Sequence, residues 1–288
     1  MAISLGGGGS ASVINETIDI NSAENLITLA DGRVYLKGGV FETDTTTYPD
    51  ATLSYQYTGT NFYVGAEEIY PSGITWDGTH FWVVGSNVDR AFKYTAAGVY
   101  TGTNFAIGQD SSPQGITWDG THFWVAGNGS DTVYKYTAAG VYTGTSFSVS
   151  SQDTSPQGIA WDGTYFWVLG NINDTVYKYN SSGVYQNVSF SVNAQAPSPK
   201  DITWDGTNFW VVGTNTNNLY KYNTSGVYQN VSINFSGQST NAEGVAWDGT
   251  SFWILDNVGD SAYEYKNVIG VTSSTEAAMG RQNYVRIK

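Results

Sequence analysis

The feature that most constrains this chain is a repeat: Trp-Asp-Gly-Thr begins at Trp76, Trp118, Trp161, Trp204 and Trp247, at intervals of 42, 43, 43 and 43 residues. Each copy continues into Phe-Trp-Val or a close variant, at Phe81-Trp82-Val83, Phe123-Trp124-Val125, Phe166-Trp167-Val168, Phe209-Trp210-Val211 and Phe252-Trp253-Ile254. A period of this size marks one supersecondary unit stacked on copies of itself.

Within the unit, Gly115 to Trp118 alternates apolar and polar residues, and Asp119-Gly120 offers the two positive-φ residues of a type I′ turn. Phe123 to Ala126 then returns as a second strand. Thr132 to Tyr136 reads as a third, Ala138-Ala139-Gly140 as a turn, and Val141 to Val149 as a fourth. Such a sheet carries aromatics on both faces, which only radial stacking would bury. The predicted class is all-β, a five-bladed β-propeller of four-stranded antiparallel blades over residues 53–270, with a small β-rich terminal attachment segment. Trp118, Phe123, Trp124 and Tyr134 are expected between blades.

The ends of the array predict how the ring closes. Tyr57-Thr58-Gly59-Thr60-Asn61-Phe62 repeats Tyr100-Thr101-Gly102-Thr103-Asn104-Phe105, so it is a fourth strand without a blade, while the last unit loses the pattern after Tyr265. The N-terminal strand is expected to complete the last blade, which removes two free sheet edges. A sixth blade is the alternative, because Leu26 to Leu36 imitates the first hairpin. Against it, the tryptophans are missing there, and Glu42 to Asp50 is poor strand material. Residues 1–52 are expected to be an attachment segment, and 271–288 a strand packing near it.

Twelve basic against 25 acidic residues, a net charge of −13 and no basic cluster argue against a nucleic-acid partner. With no cysteine, neither disulfides nor thiolate chemistry are available. No apolar run approaches membrane-spanning length, and the N-terminus lacks the pattern of a secretory signal, so no membrane insertion is expected and synthesis is placed in the cytoplasm. Gly6 to Ser10 reads as a flexible lead-in.

The Trp-Asp-Gly-Thr hairpins resemble those of many bacterial and viral propellers, a resemblance that implies the fold over roughly residues 54–268 and leaves function open. The flanks resemble something narrower. Leu29-Ala30-Asp31-Gly32-Arg33-Val34-Tyr35-Leu36-Lys37-Gly38-Gly39-Val40-Phe41-Glu42-Thr43-Asp44-Thr45, continuing through Tyr48-Pro49-Asp50-Ala51, is similar to a segment near the start of tail-fibre and related virion proteins of tailed bacteriophages. Asn283-Tyr284-Val285-Arg286-Ile287-Lys288 resembles the terminal strand of such proteins. The resemblance implies a virion component, assembled in the host cytoplasm and exposed on the particle, in which the propeller is a portable module between shared ends. Its partners would be other tail or collar proteins and a host surface glycan or receptor. The chain has no fibrous shaft, which suits a short tail-tip, baseplate or neck appendage, and homotrimeric attachment fits that role.

The repeats differ from one another in the connections from fourth to first strand and in the loops between second and third. Both sets are expected on one face, which makes that face the candidate contact surface. Ser72, Gln114, Gln157, Lys200 and Glu243 are expected just before the first strands, ringing the central channel. Asn87, Arg90, Asn128, Asn171, Asn215 and Asn257 are expected farther out. Amides and hydroxyls of this kind suit sugar hydroxyls, so a glycan is the predicted ligand. A free lectin-like propeller with up to five sites, or a purely structural virion component, are the alternatives.

Asp89, Asp131, Asp174 and Asp260 recur before the third strand, and oxygen-rich loops can hold calcium. One carboxylate per blade is too few, so a strand cap is expected, with no metal and no cofactor. His80 and His122 occupy a turn position held elsewhere by Tyr165, Asn208 and Ser251. No nucleophile–base pair can be assembled, and Glu67 or Glu68 with Asp110 is the carboxylate pair that could serve a glycosidase. The chain is therefore expected to be non-catalytic.

Overall fold

The computed structural model describes residues 26–28, 34–36 and 53–269. β1 (Leu26–Thr28) and β2 (Val34–Leu36) form an isolated antiparallel pair with Leu26 opposite Leu36, so the imitation hairpin is a hairpin and not a sixth blade. The remainder of the expected attachment segments, including the C-terminal strand, lies outside the described residues.

Residues 55–266 form a second compact unit built of five four-stranded sheets. Blade one comprises β4 (Pro71–Trp76), β5 (His80–Gly85), β6 (Arg90–Thr95) and β7 (Tyr100–Ala106). Blade two comprises β8 (Pro113–Trp118), β9 (His122–Gly127), β10 (Thr132–Thr137) and β11 (Tyr142–Ser148). β12 (Pro156–Trp161), β13 (Tyr165–Gly170), β14 (Thr175–Asn180) and β15 (Tyr185–Ser191) make blade three. β16 (Pro199–Trp204), β17 (Phe209–Gly213), β18 (Asn218–Tyr222) and β19 (Tyr228–Asn234) make blade four. Blade five is β20 (Ala242–Trp247), β21 (Ser251–Asp256) and β22 (Ser261–Ile269), completed by β3 (Leu53–Tyr63) from the other end of the chain. The first strands touch in a closed ring, β4–β8–β12–β16–β20 and back to β4, and so surround the axis.

One aromatic contact repeats at every seam. The second tryptophan of each blade packs on the phenylalanine of the next: Trp82 on Phe123 at 4.8 Å, Trp124 on Phe166 at 4.5 Å, Trp167 on Phe209 at 4.7 Å, Trp210 on Phe252 at 4.6 Å and Trp253 on Phe81 at 4.8 Å. These tryptophans are at most 4 % exposed. Trp118 and Tyr134 are half-buried and pack against the cluster that joins blades one and two, whereas Tyr136 is fully buried and donates its hydroxyl to Gln109 Oε1 at 2.7 Å.

The turn between first and second strands corrects the expected type I′ geometry. Gly120 has φ 94°, but Asp119 is not among the positive-φ residues, and Trp118 faces Phe123, leaving four residues in the loop. A two-residue I′ turn is therefore excluded by length. The Asp119 carboxylate does the work instead: Oδ1 accepts the N–H groups of Thr121 and His122 at 2.8 and 2.7 Å, and Oδ2 accepts the Trp124 indole N–H at 2.7 Å. The same indole bond recurs from Trp82, Trp167, Trp210 and Trp253 to Asp77, Asp162, Asp205 and Asp248, at 2.6 to 2.8 Å. The motif's aspartate and its second tryptophan are thus one unit, a satisfied polar tip on a buried aromatic.

The closing strand carries its own fit. In blade one, Gly98 (φ 76°) lies against Phe62 of the preceding blade so closely that a Cβ would meet that ring at 2.1 Å, and Gly140, Gly183 and Gly226 repeat this against Phe105, Phe147 and Phe190. At the remaining seam Tyr55 stands where the glycine would be, and its counterpart is the smaller Ile233, in one apolar cluster with Trp210 and Phe252. Tyr55 crosses Trp210 at 5.5 Å and Phe252 at 5.3 Å. Glu264 adds a polar latch, accepting from Thr58 Oγ1 of β3 and Ser251 Oγ of β21, both at 2.8 Å.

Candidate functional site

The two variable sets of loops meet. The N–H groups of Ser86, Asn128, Asn171 and Asn257, after the second strands, donate to the carbonyls of Tyr70, Ser112, Ser155 and Asn241, before the first strands, at 3.0 to 3.3 Å. This is the diversified face. The repeated aspartate turns and the turns between third and fourth strands lie at the other strand ends, on the constant face. In blade five, β22 runs toward the constant face and β3 starts from it, so both chain connections of the propeller leave from that side.

Buried carboxylates clasp the loops of the diversified face. Glu68, Asp110 and Asp153 are 0, 7 and 4 % exposed and accept loop N–H groups: Tyr70 and Asn87 on Glu68, Ser112 and Gly129 on Asp110, Ser155 and Asn173 on Asp153, at 2.8 to 3.2 Å. Each occupies space kept free by a glycine ending the second strand, since a Cβ on Gly85, Gly127 or Gly170 would lie 2.2 to 2.3 Å from it. Blade five reverses the arrangement. Asp256 stands in the glycine's position and accepts Ser239 Oγ, from the connection, at 2.5 Å and the Asn241 N–H at 3.2 Å. Blade four has Ala196 and Gly213 and no such carboxylate. Burial pushes the Glu68 carboxyl up, opposed by the N–H bonds it accepts. Of the carboxylates that could serve a glycosidase, Glu68 and Asp110 are thus held in loop clasps of separate blades, while Glu67 is half-buried and accepts the Tyr94 hydroxyl at 3.2 Å.

The five expected ring residues do share one position, but inside the first strand rather than before it. Pairing skips Ser72, Gln114, Gln157 and Glu243 in β4, β8, β12 and β20, and skips Lys200 with Asp201 in β16, so each is a bulge residue. Bulges re-aim side chains, and here they do so around the axis. Ser72 is 8 % exposed and spent on the neighbouring blade, its Oγ donating to the Pro113 carbonyl at 2.7 Å. Gln114, half-buried, and Gln157, 6 % exposed, donate through Nε2 to Ser112 and Ser155 at 3.0 and 3.1 Å. Lys200 Nζ and Glu243 Oε2 pair at 3.0 Å, with side chains 28 and 10 % exposed. Burial pushes Glu243 up, and Lys200 opposes it.

The outer residues do not form a ring. Asn128, Asn171 and Asn257 are equivalent, but Asn87 and Asn215 stand one place later in their loops, where other blades carry Gly129, Ile172 and Val258. Asn215 Nδ2 reaches the Pro197 carbonyl at 3.5 Å, and Asn257 Oδ1 accepts Asn241 Nδ2 at 3.0 Å. Arg90 is committed to its own blade, donating through Nε to Asn104 Oδ1 at 2.8 Å and through Nη2 to the same atom.

The aspartate series before the third strand is a backbone device. Asp89, Asp131, Asp174 and Asp260 have φ of 50, 51, 46 and 44°, and the fifth member of the series is Asn217 at 51°. Asp and Asn tolerate this left-handed conformation. Their carbonyls accept the N–H groups of Ile107, Val149, Val192, Val64 and Phe235 at 2.7 to 3.0 Å, tying the third strand's start to the end of the fourth. Among the described residues no group of three or more His, Asp or Glu is placed to hold a metal ion. His80 and His122 sit on the constant face, away from the ring. An open cleft of about 500 Å³ lies between blades one and two, lined by Val88, Asp89, Ile107, Gln109 and Asp110. Burial, and then the charge of Asp110, push the Asp89 carboxyl up.

Sequence reasoning missed Asp201, which is 1 % exposed in β16 where every other blade carries glycine. Its Oδ1 accepts the Ile202 N–H at 2.8 Å and its Oδ2 the Val245 N–H of blade five at 2.9 Å, while burial pushes its carboxyl well up. The break from Gly to Asp in aligned repeats was the available signal.

No protein-family model and no curated protein matches the sequence. Among solved structures, the chain is similar to glutaminyl cyclase from Myxococcus xanthus, at 10 % identity and TM-score 0.61, covering 74 % of this chain and 96 % of that one. It is similar also to the calcium-binding protein regucalcin from Agrobacterium tumefaciens, at 11 % identity and TM-score 0.51, covering 75 and 96 %. The PQQ-bound aldose sugar dehydrogenase of Streptomyces coelicolor matches at 12 % identity and TM-score 0.50, covering 76 and 99 %. At these identities the likeness concerns the fold, which hosts unrelated chemistries.

Proposed function

We propose that this chain is a non-catalytic component of a tailed-bacteriophage particle, a short tail, baseplate or neck appendage, whose propeller recognises a host-surface glycan. The observation that supports this most is the polarity of the propeller. Both chain connections leave from the constant face, and the residue variation lies on the opposite one. A rigid module held from one side and diversified on the other suits a recognition head. The flanking resemblance supplies the particle, and the amides of Gln114 and Gln157 beside Lys200 and Glu243 supply groups suited to sugar hydroxyls.

The test is immunogold labelling and peptide mass spectrometry of purified particles. Stoichiometric presence, with the diversified face reachable by antibody, is the expected result. A chain absent from particles that still binds glycans would replace this reading with a free lectin-like propeller. A chain in particles with its diversified face occluded would make it a structural contact.

A further inference from the structure

We infer that the seam between blades four and five carries one sugar site per propeller, in which Lys200 and Glu243 together grip a pair of adjacent hydroxyls on a neutral sugar ring. This rests on the glycan-recognition reading above and narrows it from a ring of five positions to one seam.

The repeats act as their own control. Four blades place glycine in the first strand where blade four places Asp201, because the inner strands approach closely: a Cβ on Gly115 would lie 2.7 Å from the Gln157 carbonyl oxygen, and one on Gly158 would lie 2.8 Å from Asp201 Cα. Blade four keeps the one-residue excess of the other blades, but Lys200 and Asp201 both stand unpaired opposite Val212. Asp201 then bridges β16 and β20 through the N–H groups of Ile202 and Val245, which fixes the offset of Lys200 against Glu243. Thr214 Oγ1, donating to the Ala242 carbonyl, ties the same seam again. Asp201 is thus a positioning residue for the pair.

Stability does not account for this cluster. An ion pair this buried returns in attraction about what it loses in desolvation, and a buried carboxylic acid is a further cost. The seams between blades one, two and three close without either. No other seam among the described residues joins an ammonium to a carboxylate, and the remaining Lys–carboxylate pair, Lys266 with Glu264, lies within blade five.

The chemistry selects the ligand. A sugar hydroxyl both donates and accepts, and an ammonium and a carboxylate 3.0 Å apart offer one donor and one acceptor at the spacing of neighbouring hydroxyls. The pair is neutral overall, so it favours an uncharged sugar over a uronic acid.

The test is titration calorimetry on the full chain with neutral hexoses and their uronic-acid counterparts, using Lys200→Met, Glu243→Gln and the double variant Lys200→Gln/Asp201→Gly. The double variant gives β16 the Pro-Gln-Gly start of β8 and β12. The expected result is a single site per chain, neutral sugar preferred, weakened at least about tenfold in each single variant. The double variant should lose binding while melting at or above the wild-type temperature. Sugar binding that survives these changes, or saturates near five per chain, overturns the seam site and leaves the glycan reading standing. A double variant that melts well below wild type makes the seam structural and also overturns it. A wild-type chain that binds no sugar overturns both readings.

Discussion

The two faces of this propeller seal the polar atoms at their strand ends in opposite ways. On the constant face, one aspartate per blade, always at the same position, satisfies two turn N–H groups and an indole. On the diversified face, a carboxylate comes from the connection in blades one to three, from the second strand in blade five, and from neither in blade four. The first solution is bound to the tryptophan that holds the seams. The second depends only on filling a space, so it can be reached from either backbone position and can be exchanged for something else. Variation collects where the fold's demand is for volume and hydrogen bonds, not for one residue.

The largest expected effect is on the shared scaffold. Trp167→Ala removes a ring packed on Phe209 and strands the Asp162 carboxylate, and should cost about 3–5 kcal/mol in denaturant unfolding. A smaller effect tests the closing seam: Ile233→Phe recreates the ring that Gly98-type positions accept, but against Tyr55, and should cost about 1–3 kcal/mol through overpacking. Adding Tyr55→Gly should recover much of that loss, whereas additive losses would break the proposed pairing.

The clasp gives a similar test on the diversified face. Asp153→Ser and Gly170→Asp, each alone, should destabilise by about 1–3 kcal/mol, one by orphaning loop N–H groups and the other by crowding Asp153. Together they copy blade five and should come closer to wild type than either alone.

Acid titration separates Asp77 on the constant face from Glu68 on the diversified face by sign. Burial pushes Asp77 up, but bonds from Trp82, Thr79 and His80 outweigh it and hold the carboxyl below its ordinary value. Its contribution is therefore complete above the unfolded-state value of about 4 and is lost as pH falls through the lowered one. Glu68 on the diversified face is raised, so its protonated form is favoured by folding and stability is lost as pH rises from the unfolded value through the raised one. Asp77→Asn should accordingly be more damaging at pH 7 than at pH 3, and Glu68→Gln less damaging at pH 7 than at pH 4. Equal costs at all pH values would remove the distinction. The smallest effect belongs to the loop tips: Ile172→Ser and Val258→Ser, at 65 and 71 % exposure, should change stability by less than about 0.5 kcal/mol.

Most of the scaffold was legible because a period of 43 residues, once aligned, states strand order, blade number and the missing fourth strand together. The turn type was not, since Asp-Gly suits a two-residue turn as well as this longer one, and only the pairing of Trp118 with Phe123 decides between them. The ring positions were legible as a column of unlike residues, but the commitment of Ser72 to the Pro113 carbonyl depends on a neighbouring blade that no local pattern reports. Asp201 and Asp256 were visible as departures from glycine. Their meaning required the close approach of inner strands and the space in front of Asp153 and its equivalents.

The central claim is that the diversified face, and not the constant one, meets the host. Binding of labelled full-length chain to bacterial cells and to a glycan array tests it most directly, comparing Gln114→Ala/Gln157→Ala/Lys200→Ala with the constant-face change Thr121→Ala/Thr164→Ala/Thr207→Ala. The account predicts binding lost in the first variant and kept in the second; loss in the second alone, or equal binding by both, would contradict it.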